Sequence, residues 1–216
     1  MRTMAWDIVH ITEAIAEGLQ ARAQADDLEQ AVYSIDALDE LGLHPLIQQS
    51  LRVAGFGVHP EQRYPSDRTA RRKSEGKRCD IVLTPDERDL MDPHAESTLF
   101  EPPDAMVLEA AFWLEIKTVS QYTTEGPFAR YSAELLQPVS KDVKKLSGDP
   151  LVYHAALLLV LFTADEATAQ HDLTTWERKT LDRGYAVAPP IIRQFPINDR
   201  LGNGHCAVGT YQIRRL

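Results

Sequence analysis

Phe112-Trp113-Leu114-Glu115-Ile116-Lys117-Thr118-Val119 is the stretch that decides how this chain reads. It is apolar, aromatic and β-branched apart from Glu115 and Lys117, which suits a strand. Residues two apart in a strand share a face, so Glu115 and Lys117 project together while Leu114, Ile116 and Thr118 face the other way. An acid and an ammonium on an otherwise apolar strand cost desolvation energy unless they have partners or a task. A surface ion pair of the two is the plainer reading and is worth little; the apolar neighbours of Glu115 favour a buried strand. The spacing alone carries no weight. Acid, any residue, lysine occurs four times: Glu75-Gly76-Lys77, Glu115-Ile116-Lys117, Asp142-Val143-Lys144 and Glu177-Arg178-Lys179. Only one of these lies in an apolar, β-rich context with a second strand-borne acid upstream.

That second acid is Asp80, which interrupts the apolar run Cys79-Asp80-Ile81-Val82-Leu83 and stands beside Glu115 if the two strands pair. Two carboxylates converging from adjacent strands make an oxygen-only site suited to Mg²⁺ or Mn²⁺. There the main-chain carbonyl of Ile116 is a natural extra ligand, and Lys117 is placed to orient a water or to stabilise charge on a phosphorus.

Outward from these strands, 5–28 has the spacing of an amphipathic helix, with Ile8, Ile11, Ile15 and Leu19 three and four apart. Ser34 is expected to cap a second helix that runs through Leu41. Gly42 and Pro45 are expected to break it and restart it as Leu46 to Ala54. Phe56 to Tyr64 reads as a first strand, Cys79 to Leu83 as a second, and the proline-rich 84–104 as an irregular insertion. Met106 to Val119 holds one or two strands. A helix is expected over 129–146, kinked or divided at Pro138. The apolar run Ala155 to Phe162 suits a buried strand, Glu166 to Arg183 a helix, and Ile191 to Phe195 and Cys206 to Ile213 two final strands. Gly202-Asn203-Gly204 reads as a hairpin turn. The order predicts a mixed α/β layout around one sheet, in a single domain over 1–216: a helical elaboration in 1–30, a core in 34–163, and a helix with strands in 164–216.

Asp80, then Glu115-Ile116-Lys117 at the end of an apolar strand, then a helix and another apolar strand, resembles the PD-(D/E)XK nuclease-like (restriction-endonuclease-like) superfamily. The resemblance spans Ser34 to Phe162. It implies an αβββαβ core and cleavage of DNA, less often RNA, assisted by Mg²⁺ or Mn²⁺. By it, Asp80 and Glu115 would hold metal with the carbonyl of Ile116, and Lys117 would assist the attacking water. The superfamily also carries an acid on the helix before the first strand; Glu40 is the matching candidate and Glu61 the alternative. Two departures stand out. Cys79 replaces the proline expected before the aspartate, and the interval from Asp80 to Glu115 is long.

The segment Arg68, Arg71, Arg72, Lys73, Lys77, Arg78 places six positive charges in eleven residues, running into the Asp80 strand. It reads as a phosphate-contacting loop, or as a solvated loop balancing Asp86, Glu87, Asp89 and Asp92. Asp142 and Lys145 read as a solvated helix face, with reach to the site as the alternative. Of seven histidines none is spaced as a zinc motif, and His44, near Glu40, is the one worth inspecting.

The net charge of −9 argues against a protein that coats nucleic acid non-specifically, while leaving room for local phosphate contacts. With 44% hydrophobic residues and two cysteines, the chain can bury a core without a disulfide framework, and a cytoplasmic location is expected. No apolar run is long enough for a membrane span. The expected partner is nucleic acid, DNA first, with room for a protein partner or a homodimer. Two rival readings are a nuclease fold that binds without turnover, and a subunit of a restriction, repair or defence complex docked through its N-terminal helix.

Overall fold

The computed structural model describes residues 6–66, 77–91, 105–137 and 141–214. Its centre is the strand β6, His154–Thr163, buried along almost its whole length. Such a strand needs cover on both faces, and its alternate side chains enter two cores. Ala156, Leu158, Val160 and Phe162 pack with Ile11, Ile15, Leu19, Leu43, Ile47 and Leu51. Ala155, Leu157, Leu159 and Leu161 pack with Tyr131, Leu135, Val143, Leu146, Leu173 and Trp176. The first set comes from α1 (Ile8–Leu28) and α2 (Glu40–Val53), the second from α3 (Tyr131–Leu136), α4 (Asp142–Gly148) and α5 (Glu166–Asp182).

The remaining sheet strands are β1 (Gly57–Arg63), β2 (Arg78–Thr84), β3 (Phe112–Ser120), β7 (Ile191–Pro196) and β8 (His205–Ile213), in the spatial order β1-β2-β3-β6-β8-β7. β1, β2 and β3 run antiparallel in turn. β3 and β6 are parallel from Phe112↔His154 to Ser120↔Phe162, and a parallel pair needs a crossover, which α3 and α4 supply. A two-stranded hairpin, β4 (Tyr122–Thr123) with β5 (Gly126–Pro127), leaves the end of β3. This is the mixed α/β layout expected from the sequence.

Three expectations need correction. The second helix is not broken at Gly42 and Pro45. Ser34 precedes only a 3₁₀ turn, Ile35–Ala37, and gives its hydroxyl to Asp26 instead of a helix cap. Asp39 caps the helix by accepting from the Gly42 N–H at 2.8 Å, and α2 then continues through Pro45. Proline there removes one bond, to the carbonyl of Leu41, a residue that is 73% exposed. The division expected within 129–146 is present, as α3 and α4, while Pro138 lies outside the described residues. In 106–119 only the part from Phe112 is strand, Met106 making an isolated bridge to Leu90. The N-terminal helix starts at Ile8, where Asp7 caps it.

Gly202-Asn203-Gly204 turns the chain between β7 and β8, and Asn203 is also a structural tie. Fully buried, it donates to Asp36 Oδ2 at 3.0 Å and to the Tyr122 carbonyl at 2.9 Å, and it accepts from the Tyr122 N–H at 3.1 Å. Gly202 has φ +117° and lies against the Tyr122 ring, where a Cβ would sit 2.6 Å from ring atoms; only glycine fits. Asn203→Ala strands Asp36 and both main-chain groups of Tyr122, and is expected to cost about 2–3 kcal/mol. A lowered urea midpoint with an unchanged m-value is the readout; an unchanged midpoint would contradict the tie.

Candidate functional site

Pairing between β2 and β3 runs from Leu83↔Phe112 to Ile81↔Leu114. The next opposed positions in that register are Asp80 and Glu115, but the main-chain ladder stops there. Asp80 Oδ2 instead accepts from the Ile116 N–H at 2.7 Å. Two residues on, the Thr118 N–H is met by Glu40 Oε2 at 3.4 Å. Carboxylates thus stand in for a departing strand.

Glu40 is the first residue of α2, where an acid is favoured by the helix dipole. Its carboxylate also receives Lys117 Nζ at 3.3 Å, and Lys117 lies 3.8 Å from Glu134 Oε2 on α3. Glu115 is 2% exposed. One of its oxygens accepts from the Tyr64 hydroxyl at 2.6 Å and the other pairs with Lys145 Nζ at 3.0 Å. Lys145 also meets Asp142 at 3.0 Å, one turn back on α4. Tyr64 is fixed by stacking on Trp113, ring centroids 5.4 Å apart.

The electrostatics follow from burial. The Glu115 carboxyl is pushed up to about 8, by desolvation first and the Asp80 charge second, against the pull of Lys145 and Tyr64. Asp80 is raised by burial and by Glu40, opposed by the Ile116 N–H, His44 and Lys145. Burial works to lower Lys145, but Glu115 and Asp142 outweigh it and hold the ammonium. Tyr64 is pushed up by burial, then by Cys79 and Glu115, and stays a donor. Among the described residues, Glu40, Glu115, Glu134 and Asp142 pair with Lys117, Lys145 and, at the rim, the exposed Arg130, and Asp80 is a fifth acid beside them. Negative charge is in excess. His44, one turn along from Glu40, is buried and its Nε2 has no hydrogen bond.

The structure brings Asp80, Glu115, Lys117 and Glu40 into one neighbourhood. Glu61 is different. It lies across from Asp80 in the β1–β2 register, but it is exposed in a left-handed conformation (φ 54°), and its carbonyl accepts from Arg78 Nη1 at 2.9 Å. The acid that acts on Asp80 is Glu40. Lys77 and Arg78 are exposed at the start of β2; Arg68, Arg71, Arg72 and Lys73 lie outside the described residues. Lys145 is a correction to the solvated-face reading, since its ammonium reaches Glu115. Tyr64 was missed, and only its place at the end of the first strand hinted at it.

Among the described residues, no group of three or more His, Cys, Asp or Glu side chains is gathered as a ready-made metal cage. The carboxylates are turned instead to main-chain N–H groups and to lysines. The donor set still suits a hard cation. Two opposed carboxylates, Glu115 buried and Asp80 half-buried, and an excess of acid around them describe a place short of positive charge.

Compared with family models, curated proteins and solved structures, the chain matches none of them.

The raised Glu115 has a consequence for stability. Its ordinary value is 4.5, so between about 4.5 and 8 the folded chain holds a proton that the unfolded chain has released. Stability therefore falls as pH rises through that window. His59, His154 and His205, whose values are lowered from 6.5, act in the opposite sense only below about 6.5. Thermal unfolding in chelator between pH 6.5 and 8 isolates the carboxyl: Tm is expected to drop, at roughly 2–4 °C per kcal/mol for a chain of this size, and Glu115→Gln to flatten the slope. An equal slope in Glu115→Gln would assign the effect elsewhere.

Proposed function

We propose that this protein is a divalent-metal-dependent nuclease that hydrolyses phosphodiester bonds, with DNA as substrate, built on the PD-(D/E)XK nuclease-like core. The observation that carries the reading is the opposition of half-buried Asp80 and buried Glu115 at the point where β2 leaves β3, with Lys117 two residues further on. The run α2, three antiparallel strands, helices, and a strand parallel to β3 supports the expected αβββαβ order.

In this reading Asp80, Glu115 and the Ile116 carbonyl hold Mg²⁺ or Mn²⁺, with Glu40 as the third acid. A bound divalent ion supplies a lowered pKa for a coordinated water and neutralises charge on the phosphate. The side chains do the rest. Glu115 gives up its proton when positive charge arrives, and Lys145 keeps that carboxylate from being stranded if the charge leaves. Lys117, held by Glu40 and Glu134, is a positioned ammonium able to orient the attacking water and to stabilise charge on phosphorus. Lys77 and Arg78, exposed where the chain enters β2, are placed to meet the phosphate backbone.

One observation favours a second reading. Both Glu115 oxygens are already engaged, by Tyr64 and Lys145, which is also what a binding module without turnover would show. A protein partner or a second copy of the chain fits either reading. Among the described residues no helix is long and apolar enough to cross a membrane.

Cleavage of DNA in Mg²⁺ or Mn²⁺ is expected, and EDTA is expected to abolish it. Lys117→Ala is expected to slow the reaction about 10²-fold or more while calorimetric metal affinity stays equal or rises, since a nearby positive charge is lost. Asp80→Asn is expected to weaken metal binding itself. Cleavage as fast with alanine at 117 as with lysine would make the spacing a coincidence and hand the site to the binding-module reading.

A further inference from the structure

Glu115 has two partners, and they differ in how freely they can move. The Tyr64 hydroxyl on Oε1 belongs to a residue that is 2% exposed and stacked on Trp113, so it stays where it is. Lys145, on Oε2, comes from α4, whose backbone is seated in the core by Val143 and Leu146. Its own side chain is 26% exposed, against 3% for that of Glu115, and a lysine carries its charge on a flexible four-carbon stem. A cation arriving from solvent therefore reaches Glu115 where Lys145 makes way.

A displaced ammonium needs somewhere to go, and Asp142 provides the place. It lies one turn back on the same helix, where residues three apart are neighbours, and its Oδ1 is already 3.0 Å from Nζ. Lys145 thus spans two carboxylates at 3.0 Å each. Letting go of Glu115 loses one contact and keeps the other, so no charge is stranded. Lys117 is placed for a different task. Glu40 and Glu134 hold it at the wall of a cavity of about 420 Å³, bounded by the 36–40 segment, the end of β3, the β4–β5 hairpin and α3.

We propose that Lys145 is an exchangeable internal counter-ion, which holds Glu115 in the metal-free chain and passes to Asp142 alone when Oε2 receives a divalent ion. It acts through Glu115 and is a positioning residue. The divalent ion at Asp80 and Glu115 rests on the nuclease reading; the choice of Lys145 as the group that yields rests on the contacts around it.

Calorimetry with Mg²⁺ and Mn²⁺ on the full chain, without DNA, reads the exchange. Lys145→Met, similar in length and uncharged, is expected to bind either ion about tenfold more tightly, because a like charge a few ångströms away is gone. Lys145→Arg keeps the competitor and is expected to show no such gain. Asp142→Asn removes the receiving carboxylate and is expected to weaken binding about fivefold, but less than about twofold in the Lys145→Met background, where no ammonium remains to be received. Simple attraction between Asp142 and the metal would give the same loss in both backgrounds. Tm in chelator reports folding, and Lys145→Gln, which leaves Glu115 an uncharged donor, runs beside Lys145→Met. In the unaltered chain the NMR signal of the Lys145 ammonium is expected to move as Mg²⁺ saturates. An unmoved signal, no gain in the uncharged variants, equal Asp142→Asn losses in both backgrounds, or no divalent binding by the unaltered chain overturns the inference. DNA cleavage on the same preparations separates the two proposals. Cleavage with equal losses sinks the exchange alone, and coupled losses without cleavage keep the exchange and sink the nuclease.

Discussion

Past Leu114 the strand β3 loses its main-chain neighbour on one side, and the rest of the site follows from how that edge is satisfied. A buried N–H without an acceptor costs about 1–3 kcal/mol. Here the Ile116 N–H takes Asp80 and the Thr118 N–H takes Glu40. Each acid is thus drawn to the edge by a backbone requirement before any ligand is considered. The arrangement holds the N-terminus of α2 against the end of β3 and brings the strand-borne acid opposite Glu115. Carboxylates at these positions serve fold and chemistry together. An asparagine at 80 would keep an acceptor for the N–H, and an alanine would not.

The second constraint is charge. Glu115 is buried almost completely, and a lone carboxylate in such a place would be prohibitive. Tyr64 and Lys145 answer this from two separate elements, and the carboxyl still rests near 8. Near neutral pH the site is therefore poised between a protonated acid and an anion in search of a cation. Lys145 supplies that cation weakly, because Asp142 also competes for it. Lys117 is kept apart from this pair by Glu40 and Glu134. The two lysines thus differ in surroundings although both sit beside the same acids. Lys145 compensates buried charge, and Lys117 remains positioned at the mouth of the cavity.

What could be seen in the sequence was local. β3 and β6 announce themselves by unbroken apolar runs, and Glu115 and Asp80 by interrupting such runs. Glu40 was visible through its place on a helix before the first strand, although the helix boundary was not. Asp39 as cap and the exposed position of Leu41 let α2 run through Gly42 and Pro45, against the usual meaning of those residues. Glu61 stood as the alternative to Glu40 in one dimension. A left-handed backbone at that residue, which glutamate seldom adopts, accompanies its exposed position. Tyr64 and Lys145 carry no local signal, because their roles depend on three elements meeting in space. A lysine near an aspartate on a short helix is most often solvated, and only the packing of α4 on β3 turns this one inward.

On the nuclease reading an acidic chain has to separate its charges to meet a polyanion, and here both signs lie close together where β2 leaves β3. At the start of β2 the exposed Lys77 and Arg78 present positive charge. At the opposed acids, Glu115 buried and Asp80 half-buried, the charge is negative and can be offset by lysine or by a divalent ion. The 36–40 segment next to Lys117 adds further acids, Asp39 and Glu40. On the nuclease reading a phosphate would be favoured at the first region and tolerated beside the acids only with a cation present. On that reading, binding of a nucleic-acid backbone and chemistry on it would be separable demands: the first would answer to salt, and the second to the cation that neutralises Glu115 and Asp80. The net charge of the whole chain therefore says little about either, because at distances of a few ångströms it is the local order of signs that decides what can approach.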